Sequence, residues 1–328
     1  MARLSTKVCS LLTDTAITNM NSRKIFTFVD FLQEDPEKLV KICQLSYTEI
    51  MIIRRNLVSH YSAFPKNGLD AYNDLLMHSA IIPSGIPSLD IMIDGGFLTG
   101  SLTEFYGLPS SGKTQLCFTL LANAALNFKQ QVQYIDCKGD FSGKRVQKIV
   151  EAHCKDPQVI AQAMQNVIVT SVGNIYQLLS FLHHLKGNMN HDNTDEVCTR
   201  LIIIDSLPAI FYQFLGENSN DGLGLMNALV ATLRNIAVEN RIAFILVNLA
   251  KKGTDEDTDY SSKYYPVFMT RCQILKPALG NYWLHVPNLR LYLHKSTCGK
   301  ESNIVITKSS SLPIGKHCKV KFSEKGVE

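Results

Sequence analysis

Short, almost continuous apolar runs alternate along the chain with stretches of helical period. The runs are Ser101–Tyr106, Val132–Asp136, Val167–Thr170, Arg200–Asp205 and Ile242–Asn248. Between them lie Gln115–Ala125, Gly143–Cys154, Ile175–Lys186 and Leu223–Asn240, whose apolar positions recur at helical spacing. Strands apolar on both faces are buried on both faces, so this alternation predicts an α/β core with a mostly parallel sheet between helices. The tail is different. Leu289–His294, Asn303–Lys308 and Cys318–Phe322 follow one another as strand-like runs with no helix between them, and predict antiparallel strands at the C-terminal end. The Asn- and Asp-rich stretch Gly187–Glu196 reads as an exposed insert.

The first 60 residues carry a helical pattern only. Asp35, Pro36 and Glu37 supply an N-cap, a first-turn proline and a first-turn acid, and Leu39, Val40, Ile42 and Cys43 follow at helical spacing. Leu45 to Glu49 opens another helix, with Ile50, Ile53, Leu57 and Val58 as its apolar face and Arg54 and Arg55 beside it. Two readings stand for those arginines: contact with DNA or a partner, or a solvated basic face. Residues 61–82 hold the turn signals Pro65 and Asn67-Gly68, with Pro83 at their end, and Leu69, Tyr72, Leu75, Leu76 and Met77 at amphipathic spacing. The expected organisation is a small all-α domain (1–60), a linker (61–82) that docks on a neighbour or folds back, and an α/β core (83–328).

Composition narrows this little. The chain has 328 residues, 45% of them hydrophobic and 19% charged, with a net charge of +4. That charge is too mild to identify a nucleic-acid binder by itself. No apolar run reaches the roughly 18–20 residues that span a bilayer, so no membrane partner is expected. The nine cysteines form no C-x-x-C pair and read as reduced thiols.

The chemistry is concentrated at Gly107-Leu108-Pro109-Ser110-Ser111-Gly112-Lys113-Thr114, a complete G-x-x-x-x-G-K-[ST] phosphate loop between a strand and a helix. Backbone N–H groups in such a turn, together with the helix N-terminus, form an anion site. Lys113 is placed to reach the β- and γ-phosphates of ATP, and Thr114 to hold Mg²⁺. The run Leu201-Ile202-Ile203-Ile204 buries a strand that delivers Asp205 to the carboxyl edge of the sheet, where it serves as a second Mg²⁺ contact through water. Hydrolysis also needs a group that activates water. The tip of the Val132 strand reads Asp136-Cys137-Lys138-Gly139-Asp140 and contains no glutamate, so no catalytic residue is assigned.

These motifs resemble the RecA/RadA recombinase core: Ser88-Leu89-Asp90, Gly95-Gly96, Thr103-Glu104, GLPSSGKTQLC, YIDCKGDF and LIIIDS. LSYTEI, SAFP and LKPALGNYWLHVPNLRLYL are most similar to the D-type paralogs of the eukaryotic strand-exchange recombinase. The resemblance implies a RecA-like core and places Arg145 near the adenine. Lys138 stands where active recombinases carry a glutamate, and Asn248-Leu249 where they carry Asn-Gln, which implies ATP binding with slow or absent turnover. No Phe-x-x-Ala occurs, which argues against homotypic filaments and for hetero-oligomers with other paralogs.

The resemblance also points to two DNA loops. Leu207–Asn227 has no Lys or Arg. Ala250–Lys276 carries Lys251, Lys252, Lys263 and Arg271 with Tyr264 and Tyr265, suited to single-stranded DNA, but Asp255, Glu256, Asp257 and Asp259 cancel much of that charge and leave a polar loop as the other reading. The implied role is a nuclear, ATP-binding subunit of a paralog assembly in homologous-recombination DNA repair. An autonomous DNA-dependent ATPase and an ATP-binding scaffold without DNA contact remain alternatives.

Overall fold

The computed structural model describes residues 3–6, 8–63, 65–128, 131–189, 199–214, 220–252, 275–296 and 301–328. They group into two compact units, 1–74 and 75–328. No helix among them is long and apolar enough to cross a membrane.

The first unit forms from short helices whose starts are written locally. They are α1 (Asp14–Ser22), α2 (Phe28–Gln33), α3 (Pro36–Cys43) and α4 (Tyr47–Tyr61). Thr27 with Asp30, and Ser46 with Glu49, close reciprocal capping boxes at α2 and α4. The Asp35 carboxylate accepts from Glu37 N at 3.0 Å, as its N-cap position requires. Leu12, Met20, Phe31, Leu39, Ile50, Ile53 and Leu57 form the core. Val58 does not join it. It lies one helical step past Leu57 and is 44% exposed, because Ile50, Ile53 and Leu57 already fill the buried stripe. Arg54 fits neither the partner-contact nor the solvated-face reading: its guanidinium donates to the carbonyls of Leu32 (3.0 Å) and Glu34 and so closes the end of α2. Arg55 is exposed. The expected linker holds a full helix, α5 (Gly68–His78), none of whose residues is buried.

The second unit begins with a ribbon of β1 (Ile81–Ile82) and β2 (Phe97–Leu98) that flanks α6 (Pro87–Met92). Its main sheet contains β3 (Leu102–Gly107), β4 (Val132–Asp136), β5 (Val167–Ser171), β6 (Leu201–Asp205), β7 (Ala243–Lys252), β8 (Leu275–Pro277), β9 (Leu289–Lys295), β10 (Glu301–Ser309), β11 (His317–Ser323) and β12 (Gly326–Val327). Strand order is β12-β11-β10-β9-β3-β7-β6-β4-β5, with β8 on the end of β7. The parallel block runs from β9 to β5.

The tail is antiparallel from β10 onward. Its first strand, β9, instead pairs parallel with β3 and extends the core. β5 closes the opposite edge, and Ile168 and Val169 there are each 38% exposed, so the expectation of two covered faces fails at this strand.

Helices α7 (Lys113–Asn127), α8 (Gly143–His153) and α9 (Pro157–Gln165) share one apolar core with the sheet. Helices α10 (Ile175–Met189), α11 (Leu207–Phe211) and α12 (Asn220–Asn240) share another. The expectation of an open loop from Leu207 to Asn227 is corrected. Pro208 sits in the first turn of α11, a 3-10 turn spans Tyr212–Phe214, and α12 starts at Asn220.

Candidate nucleotide-binding site

The site lies where β3, β4 and β6 deliver their carboxyl ends to one edge of the parallel sheet. At the end of β3 the chain turns through Ser110 (φ 62°) and Gly112 (φ 96°) and enters α7 at Lys113. The glycines have a protein-internal reason as well as the one read from sequence. A Cβ on Gly107 would lie 2.5 Å from the Leu293 carbonyl oxygen, and one on Gly112 would lie 2.1 Å from the Phe322 ring. The C-terminal strands therefore press on the loop. Ser302 Oγ donates to Ser111 O at 3.3 Å, and Val327 N to Thr119 Oγ1 at 3.0 Å.

Lys113 is folded onto its own loop. Its ammonium donates to the carbonyls of Gly107 (2.9 Å) and Leu108 (2.8 Å) and to Ser111 Oγ (3.2 Å). Burial, only partly offset by Asp205, pulls its pKa down to about 8. A phosphate group at this position would favour the charged form by supplying the opposite charge.

Asp205 is fully buried at the end of β6. Its Oδ2 accepts from Thr114 Oγ1 at 2.6 Å and from Tyr134 Oη at 3.0 Å. Burial, with the adjacent Asp205 charge, drives the Tyr134 phenol far above its ordinary pKa, so it stays a donor. Tyr134 is a site residue that the sequence motifs do not single out. The available signal is a hydroxyl on a buried strand: Asp136 and Asp205 are paired across β4 and β6, and Tyr134 stands two residues before Asp136 on the same face.

The turn after β4 is built by Asp136. Its Oδ1 accepts from the backbone N of Lys138 (3.1 Å), Gly139 (2.9 Å) and Asp140 (3.3 Å), and its Oδ2 from Phe141 N (3.0 Å). Burial pushes this carboxyl up, but the four N–H donors outweigh it and hold the pKa below the usual carboxylate value. Asp136 is thus committed to folding the turn and is no general base.

The turn aims Lys138 across the site. Its Nζ lies 2.9 Å from Asp205 Oδ1 and 3.2 Å from Asp140 Oδ2. Burial draws this ammonium down, but the Asp205 and Asp140 carboxylates prevail and its pKa stands above the ordinary lysine value. An ammonium, in its protonated form, cannot accept a proton from water. Thr114, Lys113, Lys138, Asp140 and Ser206 line a cleft of about 520 Å³ with Pro109, Tyr212 and Leu249, in the size range of small-ligand pockets.

Other residues expected at the site lie apart from this cluster. Arg145, expected near the adenine, is spent on protein contacts: Gln115 Oε1 (2.8 Å), Ser323 O (2.8 Å) and Glu324 O (2.5 Å). It ties α8 to the hairpin of β11 and β12. Asn248 is buried and donates to Glu104 Oε1 (2.6 Å) and Ala278 O (3.1 Å). Trp283 Nε1 and Arg290 Nε complete the shell of the Glu104 carboxylate, which makes a buried charged network behind the site. Leu249 reaches the cleft in place of a polar side chain.

Lys251 and Lys252 are expected in a loop but lie on β7, paired with Lys276 and Leu275 of β8. Lys251 lines a second, mostly apolar cleft of about 790 Å³ with Tyr212, Phe214 and Tyr282. Lys263, Tyr264, Tyr265 and Arg271 lie outside the described residues.

Known proteins share both units. The Rad51 family model matches residues 78–328, and a model of the RAD51D N-terminal domain matches residues 1–60. The bovine DNA repair protein RAD51 homolog 4 is 33% identical over 320 residues, covering 96% of this chain and 93% of that relative. The mouse DNA repair protein RAD51 homolog 4 is 32% identical over 334 residues, covering 100% and 97%. A human relative, DNA repair protein RAD51 homolog 2, is 26% identical over 321 residues, covering 90% and 81%. With a family model that spans nearly the whole α/β unit and relatives aligned from end to end, the chain belongs to the Rad51 family.

Proposed function

We propose that this chain is an ATP-binding subunit of a hetero-oligomeric assembly of recombinase paralogs, acting in homologous-recombination DNA repair in the nucleus. It assists the main recombinase on single-stranded DNA and turns ATP over slowly at most. The paralog role is supported by relatives named as DNA repair proteins.

ATP binding is supported by the loop from Gly107 to Thr114, with Lys113 aimed inward and able to pass its hydrogen bonds from loop carbonyls to phosphate oxygens. Mg²⁺, when bound with the nucleotide, neutralises phosphate charge. Thr114 fits that role, since its hydroxyl gives its proton to Asp205 and keeps lone pairs for a metal. Asp205 would sit behind it. Loss of turnover rests on one observation above all: the side chain over Asp205 is an ammonium, Lys138, and not a carboxylate. ATP then acts as a ligand that favours one subunit arrangement. The basic strand end at Lys251 and Lys252, continuing toward Lys263, Tyr264, Tyr265 and Arg271, is the proposed DNA contact.

Co-expression with the other recombinase paralogs tests the assignment. The expected outcome is a discrete hetero-oligomer that speeds recombinase assembly on single-stranded DNA in the presence of ATP, and a Lys113→Ala chain that does so poorly. A chain that forms homotypic filaments alone, with full strand-exchange activity, would refute it.

A further inference from the structure

The walls of the nucleotide cleft carry three charged side chains, Lys113, Lys138 and Asp140, and with the Asp205 carboxylate behind them the cluster holds two cations and two anions. Asp205 is fully buried and does not reach the wall. Lys138 stands between them, with its side chain 29% exposed toward solvent and its ammonium 2.9 Å from Asp205 Oδ1. The other oxygen of that carboxylate already accepts from Thr114 and Tyr134. Asp205 thus meets a cation and two donors supplied by the protein itself.

Asp205 Oδ1 accepts no hydrogen bond and faces only the Lys138 charge, so a divalent ion that reaches this oxygen has to displace the ammonium. An approaching Mg²⁺ would also meet the Lys138 charge a few ångströms away, and like charges at that range repel strongly where water is scarce. The triphosphate, by contrast, meets two lysine side chains on one cleft. We propose that Lys138 is a built-in counter-cation for the nucleotide: its ammonium takes over part of the charge neutralisation that a divalent metal otherwise provides, so ATP binds this chain with weak dependence on Mg²⁺.

The geometry also shows how the position is held. Asp136 fastens the turn through four backbone N–H groups, which fixes the Lys138 backbone, and Asp140 braces the ammonium from the solvent side at 3.2 Å. Only the end of a flexible side chain has to move for Nζ to pass from Asp205 to a phosphate oxygen. The inference rests on the ATP-binding reading above and goes further, to what neutralises the bound phosphates.

The test is equilibrium binding of ATP to the full chain with excess Mg²⁺ and with EDTA, for wild type, Lys138→Met and Lys138→Glu. Chelation is expected to weaken wild-type binding by less than about tenfold and Lys138→Met binding by more than about a hundredfold, with Lys138→Glu hit hardest. A second readout needs no nucleotide. Mn²⁺ titration followed by electron paramagnetic resonance is expected to show tighter metal binding in Lys138→Met than in wild type, because Asp205 is freed. Equal sensitivity of wild type and Lys138→Met to chelation, with binding intact in Mg²⁺, would overturn this inference and leave the ATP-binding reading standing. Absence of ATP binding in both buffers would overturn both.

Discussion

The Lys138 ammonium and the fully buried Asp205 carboxylate form an ion pair at 2.9 Å, at the carboxyl edge of the parallel sheet. This pair puts a cation directly over the Asp205 carboxylate. It also makes the two halves of the site, the β4 turn and the β6 tip, one electrostatic unit. Breaking a buried pair from one side leaves an uncompensated charge, so the pair also holds the turn in place.

Lys113 should make nucleotide binding pH-sensitive. Burial pulls its pKa down to about 8, so binding at or above that pH would recharge it. At pH 8 ATP binding should take up about half a proton, and affinity should fall as pH rises from about 7 to 9. Calorimetry in buffers of different ionisation enthalpy reads the uptake directly, and Lys113→Ala should lose it. The same depression acts on folding. The unfolded chain holds the Lys113 proton up to its ordinary pKa of 10.5, so between pH 8 and that value it binds more protons than the folded chain. Over that window this residue makes the nucleotide-free protein more stable as pH rises.

Glu104 should be among the least replaceable residues. Its carboxylate is fully buried and accepts from Asn248, Trp283 and Arg290. Glu104→Ala strands the Arg290 charge and should cost about 3–5 kcal/mol, seen as a lower urea midpoint. Pairing it with Arg290→Met should recover part of that loss in a double-mutant cycle. Additive effects would show that the two residues do not act together.

Arg145 serves as a tie to the C-terminal hairpin. Its guanidinium holds the carbonyls of Ser323 and Glu324, and the neighbouring Phe322 ring lies against Gly112. Arg145→Ala should therefore destabilise by about 2–3 kcal/mol and also weaken ATP binding, through a loosened phosphate loop. Hydrogen exchange should show faster opening at β11 and β12. A pure loss of affinity with unchanged exchange would instead mark Arg145 as a base contact.

The proposed DNA contact is separable from the nucleotide site. Replacing Lys251 and Lys252 with Glu should weaken single-stranded DNA binding and lower its salt slope by about two, one for each phosphate left without its lysine. ATP affinity should stay unchanged. An unaltered salt slope would exclude this strand end from the interface.

The phosphate loop and the Asp205 strand are legible in the sequence because each is a local signal: contiguous residues whose spacing alone sets the geometry. Capping at Asp35 and Ser46 is legible for the same reason. What escapes is long-range. Tyr134 meets Asp205 across 71 residues, Arg145 meets Ser323 across 178, and Arg290 meets Glu104 across 186. No window of sequence contains both partners, so Arg145 reads as a ligand contact and nothing local pairs Glu104 with Arg290. Arg54 reads as a surface charge because its acceptors, the carbonyls at the end of α2, are backbone atoms that every residue carries. Helix α9 is hidden between two clear elements, although Asp156 and Pro157 mark its start.

On the proposed function, this chain binds ATP but is kept from hydrolysing it by Lys138. Single-turnover hydrolysis, measured beside ATP affinity for wild type and Lys138→Glu with single-stranded DNA present, tests it most directly. Saturable binding and negligible turnover are expected in wild type, with turnover appearing in Lys138→Glu when Mg²⁺ is supplied. DNA-stimulated turnover by wild type, unchanged or lowered in Lys138→Glu, would contradict the claim and require a water-activating group elsewhere.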